Sequence, residues 1–169
     1  MAEPSVVHST FVLERSFPLP PERVFAAFSD PGKKRRWFAE GEHQNDIEEF
    51  SMEFRAGGEE RLRYRMGETT PFPGVELTNE GRYHDIVPNR RIVMALTMHL
   101  GGRCISVALA TMELLPTASG TDLLFTHQGA YFEGSGGPEL RQQGWRVLFD
   151  SLERELAQAA GIGDGQSEH

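Results

Sequence analysis

The sequence predicts a single α+β domain in which a curved antiparallel sheet wraps around a long C-terminal helix. Between residues 46 and 132, segments with strand-like patterns follow one another across short turns, with no helical pattern between them. Consecutive strands joined by short turns form an antiparallel sheet. After Pro138 the pattern changes to one long apolar stripe at helical spacing. This stripe is the one large apolar surface able to cover the sheet, so the sheet is expected to curve around it.

The first part of the chain predicts a strand followed by two short helices. Residues 10–17 alternate between apolar and polar side chains, which indicates a strand whose apolar face is interrupted by Arg15. Prolines at residues 20–21 suit the first turn of a helix, where a missing N–H group has no cost. This helix is expected to end at the Asp-Pro-Gly sequence of residues 30–32. A second short helix is predicted over residues 33–38.

The middle of the chain predicts the strands of the sheet. Glycines and prolines mark the turns between them, as in the Ala-Gly-Gly sequence at residues 56–58. Residues 69–74 carry two prolines and a glycine and are predicted to form a loop. The predicted strand segments are residues 46–50, 51–55, 59–66, 76–87, 91–100, 103–115 and 121–132.

A long amphipathic helix is predicted after the glycine-rich loop at residues 134–138. A helix of about 20 residues is about 30 Å long, which is enough to cross the sheet. The domain is expected to span residues 8–158, with flexible termini at residues 1–7 and 159–169. The apolar stripe of the helix consists of Leu140, Trp145, Leu148, Phe149, Leu152 and Leu156.

Composition argues against several classes of partner. The net charge of −8 opposes binding to nucleic acid, which depends largely on neutralising phosphates. The one basic cluster, residues 33–36, is interpreted as a solvated helix face. No apolar run approaches the ~20 residues of a membrane span, and the N-terminus lacks the pattern of a signal peptide. Because Cys104 is the single cysteine, no internal disulfide can form, and a cytoplasmic location is expected.

The sequence contains no motif of a metal, cofactor or nucleophilic site. Histidines occur at positions 8, 43, 84, 99, 127 and 169, and no two have the i, i+4 spacing of a helical metal pair. Cys104 lies among small and apolar residues and is expected to be buried and inert. The glycines of residues 134–137 lack the lysine of a phosphate-binding loop. We therefore expect no metal and no cofactor.

Five polar residues are candidates to point into an apolar pocket: His127, Glu113, Arg65, His99 and Tyr83. His127 shares parity with the apolar residues of its predicted strand, so a core-facing sheet would direct it inward. It is interpreted either as a hydrogen-bonded core histidine or as a ligand-binding or acid–base group. Glu113 shares parity with apolar residues of the preceding strand. A buried carboxylate there would need a partner such as Arg65 or His127.

Three groups of residues form motifs that occur together in one known family. The sequence Pro-Pro-Glu-Arg-Val-Phe-Ala-Ala-Phe-Ser-Asp-Pro at residues 20–31 precedes Arg-Trp-Phe at residues 36–38. Two further stretches are residues 111–116 and 120–127, and the last helix has Gly-Trp followed by Leu148 and Leu152. Over about residues 8–158 the chain resembles the activator-of-heat-shock-ATPase-like, or AHSA-type, branch of the START-like (SRPBCC) superfamily.

The resemblance implies a helix-grip fold with a hydrophobic cavity between the sheet and the last helix. Its members include lipid and steroid carriers, plant hormone-binding proteins, polyketide aromatase/cyclases and co-chaperone domains. The eukaryotic co-chaperone has a further N-terminal domain with an Asn- and Trp-rich ATPase-stimulating motif, for which this chain is expected to have no room. An empty cavity costs about 24 cal/mol per Å³, so a ~300 Å³ void would cost roughly 7 kcal/mol. Since net stability is about 5–15 kcal/mol, a large cavity is expected to hold water or a ligand.

The sequence therefore favours a binder of a small apolar or amphipathic molecule over an enzyme. His127 and Glu113 would orient the polar end of the ligand. One alternative is an aromatase/cyclase- or hydrolase-like enzyme that uses His127 as general base, with Glu113 as a second weak catalytic candidate. Another is a co-chaperone-like interaction module whose partner is a chaperone or a second copy of the chain. The expected ligand-binding residues are Trp37, Phe54, Tyr64, Met94, Met98, Phe125, His127, Trp145 and Phe149.

Overall fold

The computed structural model describes residues 4–41 and 46–159, which form one seven-stranded sheet and four helical segments. Most of the predicted flexible termini, and the histidines at positions 43 and 169, lie outside the described residues. The strands are β1 (Val7–Phe17), β2 (Asp46–Met52), β3 (Glu59–Arg65), β4 (Glu76–Val87), β5 (Arg91–Leu100), β6 (Arg103–Pro116) and β7 (Thr121–Tyr131). The helical segments are α1 (Pro21–Ser29), α2 (Pro31–Lys34), a π-helix (Arg35–Glu40) and α3 (Pro138–Ala159).

All neighbouring strands are antiparallel, in the order β1-β7-β6-β5-β4-β3-β2. The predicted meander from β2 to β7 is confirmed, and so is the fold class. No sequence pattern indicated the partner of β1, which lies beside β7 with Phe11 opposite His127. The three short helical segments therefore carry the chain from one edge of the sheet to the other.

The first helix begins and ends close to the predicted residues. Pro21 occupies its first turn, and the next helix begins at an Asp-Pro-Gly sequence. There Asp30 Oδ1 accepts hydrogen bonds from the backbone N–H groups of Gly32 at 2.9 Å and Lys33 at 3.2 Å. This cap satisfies N–H groups that have no partner within the helix, and it fixes the angle between α1 and α2.

The predicted helix over residues 33–38 is in fact the end of α2 followed by a π-helix. The backbone N–H of Gly41 donates to the carbonyl of Arg36 at 2.9 Å, which is the i→i−5 pattern of a π turn. The wider turn buries three consecutive side chains, residues 37–39, between α3 and the sheet. The Trp37 indole N–H also donates to the carbonyl of Ala27 at 2.8 Å, which joins this segment to α1.

The two strand segments predicted over residues 46–50 and 51–55 are one strand, β2, which ends at Met52. The turn that follows requires glycine at position 58, because a Cβ there would lie 2.0 Å from the carbonyl oxygen of Glu53. Phe54 therefore belongs to the turn. Its ring packs against the rings of Phe25 and Tyr83, with centroids 5.5 and 5.1 Å apart.

The last helix crosses the concave face of the sheet, as predicted. Phe149 lies 5.0 Å, centroid to centroid, from Phe125 of β7. Arg15, which interrupts the apolar face of β1, faces this helix and pairs with Asp150 at 2.8 Å. In contrast Leu140, in the first turn of the helix, is 62% exposed. The apolar stripe is thus buried along the second half of α3, whereas its first half covers an open space.

Candidate ligand-binding cavity

A cavity of about 670 Å³ lies between the concave face of the sheet and the first half of α3. Two loops complete its wall: residues 66–72 between β3 and β4, and residues 134–136 before α3. Strands β3 to β7 supply nearly half of the lining, helices and loops supply the rest, and the lining is predominantly apolar. Its aliphatic part includes Leu62, Leu77, Leu96, Met98, Leu100 and Leu148.

The size of this cavity bears on what fills it. At about 24 cal/mol per Å³, a dry void of about 670 Å³ would cost about 16 kcal/mol. That cost equals or exceeds the whole stability of an ordinary domain, which is about 5–15 kcal/mol. The space is partly open to solvent, so in solution it is filled by water or by a ligand, and a mostly apolar wall favours an apolar ligand over water.

His127 lies on the cavity wall and is fully buried. Its ring stacks on Phe11 with centroids 4.7 Å apart, and its Nδ1 lies 3.3 Å from Tyr131 Oη. Its Nε2 has no hydrogen-bond partner among the described residues. Burial, assisted by the nearby positive charge of Arg141, lowers the pKa of His127 to about 4. The ring is therefore neutral at physiological pH.

The contact between His127 and Tyr131 depends on a glycine between them. A Cβ at Gly129 would lie 2.8 Å from two ring carbons of Tyr131 and 2.9 Å from its hydroxyl oxygen. Glycine therefore leaves space for the Tyr131 ring to lie back along its own strand and reach the imidazole. Sequence reasoning did not identify this role, because a glycine inside a strand pattern indicates only a close approach of some kind.

The buried imidazole predicts a specific loss of stability in acid. Above pH 6.5 neither the folded nor the unfolded state protonates His127, so it has no effect there. Between pH 6.5 and about 4 only the unfolded chain takes up the proton, and the free energy of unfolding falls by up to about 3 kcal/mol. Among the described residues, two charged or titratable groups face His127. These groups are Tyr131 and Arg141, and neither changes its protonation state in this pH range. We expect urea unfolding across this pH range to show this fall in the free energy of unfolding for the wild type and a smaller fall for His127→Gln. Equal dependence on pH in the two proteins would contradict the prediction.

Arg141 is a second polar residue of the cavity wall. Its Cζ lies 5.4 Å from the centroid of the Tyr131 ring, and within the described part of the chain no carboxylate is in ion-pair distance. Burial lowers the pKa of Arg141, although the residue remains a cation. Sequence reasoning placed Arg141 on the polar face of the helix. Arg141 lies four residues before Trp145, and this spacing places the two side chains on the same face of the helix.

Glu60, another residue of the wall, belongs to a buried ion pair that sequence reasoning missed. Lys34 Nζ donates to Glu60 Oε1 at 2.9 Å, and the two side chains are 2% and 4% exposed. The same oxygen accepts a hydrogen bond from Tyr83 Oη at 2.5 Å. Burial and the neighbouring Glu60 raise the pKa of Tyr83 far above its usual value, so the hydroxyl stays protonated. Glu60 lines the cavity.

The interpretation of residues 33–36 as a solvated face is therefore wrong for Lys34. Its ammonium group lies 4.6 Å from the centroid of the Phe38 ring, which covers it from water. The π-helix turns Phe38 over the lysine, a geometry that no charge pattern predicts. Arg36 does lie at the surface, where its guanidinium makes a two-pronged contact with Glu155 at 2.8 and 3.0 Å.

Of the nine residues expected to line a ligand site, four are on the cavity wall: Tyr64, Met98, His127 and Trp145. The other five pack in the core instead: Trp37, Phe54, Met94, Phe125 and Phe149. For the two methionines, the difference is a position along β5. Met94 pairs with Ala110 and is buried in the core, whereas Met98, four residues on, lines the cavity.

Three of the polar candidates face the opposite side of the sheet. In β6 the buried, inward residues are Met112 and Leu114, so Glu113 between them points outward. Arg65 is exposed and pairs with Glu48 at 3.4 Å. His99 lies between the lining residues 98 and 100 of β5, and therefore on the outer face. The placement of Glu113 beside His127 in the cavity was wrong, because a strand reverses sides with every residue.

Cys104 is half-buried rather than buried, with Sγ 3.7 Å from the carbonyl oxygen of Ser106. The described residues contain no group of three or more histidine, cysteine or acidic side chains arranged to hold a metal ion. Among residues 4–41 and 46–159, no helix has the length and apolar character needed to cross a membrane.

Comparison with known proteins places this geometry in a family. Residues 18–157 match the family described as Activator of Hsp90 ATPase homolog 1-like protein. No curated protein matches the chain.

Solved structures agree with this match. A protein from Rhizobium leguminosarum is 36% identical, with a TM-score of 0.83, over 91% of this chain and 97% of its own. Protein Mll3558 from Rhizobium loti is 41% identical, with a TM-score of 0.79, over 89% of this chain and 99% of its own. An AHSA1-like protein from Aeromonas hydrophila is 18% identical, with a TM-score of 0.64, over 91% and 95%, and supports the fold alone.

Proposed function

The chain belongs to the family of Activator of Hsp90 ATPase homolog 1-like proteins, and we propose that it binds a small apolar or amphipathic molecule between the sheet and α3. The observation that carries the proposal is the cavity of about 670 Å³ with its mostly apolar wall. Ligand pockets of about 300–1,000 Å³ with a few polar groups are typical of small-molecule sites. The single Cys104 supports a reducing compartment, such as the cytoplasm, as the place of binding.

Binding without chemistry accounts better for the polar groups of the wall than catalysis does. A general base works best when its pKa lies near the operating pH, and the pKa of His127 is about 4. Lys34 and Tyr83 are both engaged by Glu60, so neither is available as a nucleophile or base. Of these groups, His127 and Glu60 line the cavity. They are suited to orienting a ligand, and this is the role that we propose for them.

Tryptophan fluorescence provides the test of this function. Trp145 lines the cavity, whereas Trp37 is fully buried in the core, so a ligand should alter the emission of Trp145 alone. We expect titration with apolar probes such as dodecanol or naphthalene to change the emission of the wild type. The change should disappear in Trp145→Phe, while calorimetry still detects binding. Unchanged wild-type emission and no heat of binding with any probe would contradict the proposal.

Native mass spectrometry identifies the natural ligand directly. The protein is purified from the cells that produce it, its mass is measured intact, and it is then denatured. A small apolar molecule released in stoichiometric amount would support the proposal and name its class. A ligand-free mass would direct attention to a weakly held substrate or to a protein partner.

One observation favours a second candidate, a protein-interaction module of the co-chaperone kind. The outer face of the sheet exposes Val12 of β1 and Val107 and Leu109 of β6, two strands that lie on either side of β7. Exposed apolar groups of this kind mark some interaction surfaces. Charge introduced by Val107→Glu and Leu109→Lys would abolish binding to a chaperone if this face is the interface, and would leave small-molecule binding unchanged.

A further inference from the structure

We propose that the ligand of this cavity carries a carboxylate, which Arg141 binds together with the imidazole of His127 and the hydroxyl of Tyr64. The proposal rests on the binding function above and names the chemical class of the ligand. All three side chains line the cavity. Each has a donor group that no hydrogen bond or ion pair with the described residues satisfies.

The first step concerns the unpaired cation. Arg36 shows how an arginine is ordinarily satisfied in this protein, because both of its contacting nitrogens meet the carboxylate of Glu155. Arg141 has only the face of the Tyr131 ring. A guanidinium that is partly withdrawn from water is stabilised by an anion, and its planar fork matches a carboxylate in two-pronged geometry. The cavity therefore presents an arginine that has no carboxylate partner among residues 4–41 and 46–159, and the ligand would supply one.

The second step follows from the neutral imidazole. If Nδ1–H of His127 donated to Tyr131, the hydroxyl hydrogen of Tyr131 and the lone pair of Nε2 would both lack partners within the described residues. If Tyr131 Oη donates to Nδ1 instead, the single group without a partner is Nε2–H. The second arrangement satisfies more buried groups and is favoured. It makes Nε2 a donor, and a donor on the cavity wall requires an acceptor oxygen.

The third step adds a hydroxyl on the wall of the same cavity. Tyr64 and Arg141 both line this cavity, and burial raises the pKa of Tyr64 to about 12. Tyr64 is therefore protonated at neutral pH and can donate its hydrogen. Together the three residues offer one positive charge and several donors, which match a single negative charge better than a doubly charged phosphate.

The position of the free cation sets the orientation of the ligand. Glu60 lies four residues from Tyr64 along β3, which is about 13 Å. Its carboxylate is already paired with Lys34 and Tyr83, so that end of the cavity offers an anion no free positive charge among the described residues. A ligand with one carboxylate would therefore place it beside Arg141 and its apolar body along the aliphatic wall. A cationic amphiphile would be disfavoured at Arg141.

The test compares three amphiphiles that share one apolar chain: dodecanoate, dodecanol and dodecylamine. Binding is measured by calorimetry at pH 7.5, below the aggregation concentration of each compound. A charge-assisted hydrogen bond is worth enough to change affinity by about tenfold or more. We expect dodecanoate to bind the wild type at least about tenfold more tightly than dodecanol. This preference should be lost in Arg141→Gln and retained in Arg146→Gln, which removes an exposed arginine from the same helix.

The outcomes separate this inference from the binding function. If dodecanol binds the wild type as tightly as dodecanoate, or dodecylamine binds more tightly, the carboxylate assignment is overturned while the binding function stands. If none of the three compounds binds, the binding function itself is contradicted, and the inference with it. The comparison within the wild type holds even if Arg141→Gln fails to fold. A preference for dodecanoate that survives in a folded Arg141→Gln protein would overturn the role of Arg141.

Discussion

Replacing Lys34 by methionine is expected to destabilise the protein by about 3–5 kcal/mol, because it leaves the Glu60 carboxylate buried without a cation. Glu60 is 4% exposed, and Lys34 is the one cation in ion-pair distance of it within the described residues. Methionine has a similar volume, so the loss of packing is small. Urea unfolding at pH 7 measures the change.

The neighbouring lysine provides the control for this prediction. Lys33 has the same side chain one position earlier but is only partly buried, so Lys33→Met should change stability by less than about 0.5 kcal/mol. The double variant Lys34→Met/Glu60→Gln should recover part of the loss, because the remaining amide carries no charge. Similar losses for both lysine variants would show that the buried pair contributes nothing specific.

Replacing Phe149 by alanine is expected to cost about 3–5 kcal/mol by opening a cavity in the core. The ring is fully buried and packs against Phe125 and Trp145, with centroids 5.0 and 5.5 Å away. It therefore joins the long helix to β7 of the sheet. Thermal or urea unfolding of the purified variant measures the loss.

Phe72→Ala is the matched control, since it removes the same ring from a loop position that is 49% exposed. We expect it to cost less than about 1 kcal/mol. If the two substitutions had equal effects, the ring of Phe149 could not be a main contact between α3 and the sheet. Phe72 also lines the cavity, so Phe72→Ala further reports whether this loop contributes to ligand affinity.

The strands and the long helix could be predicted from the sequence because each has its own period. Turn residues separate the strands of the meander, and Phe149 and Leu152 repeat at the helical spacing. It was harder to predict which residues of each strand face the core. In β6, alanines and a serine occupy inward positions while Val107 and Leu109 point outward, so hydrophobicity alone chose the wrong face and reversed Glu113.

The polar part of the site could be predicted only where one strand decides the direction of a side chain. His127 was placed correctly because its neighbours on β7 alternate cleanly. The buried Lys34 could not be found, since its partner Glu60 is distant in sequence and its aromatic cover depends on a π-helix. Arg141 was overlooked because an arginine in an amphipathic helix is ordinarily solvated, and only the cavity beneath it changes that interpretation.

The pairing of β1 with β7 has a consequence for how the protein is made. Phe11 and His127 are opposite each other in the sheet, yet they are more than 100 positions apart in the chain. At a synthesis rate of about 5–20 residues per second, the first strand emerges on the order of ten seconds before its partner. Contacts of such long sequence range also close slowly. The strand that is synthesised first, β1, is therefore the last to join the sheet. The wall that contains His127 forms only after the ribosome has finished β7.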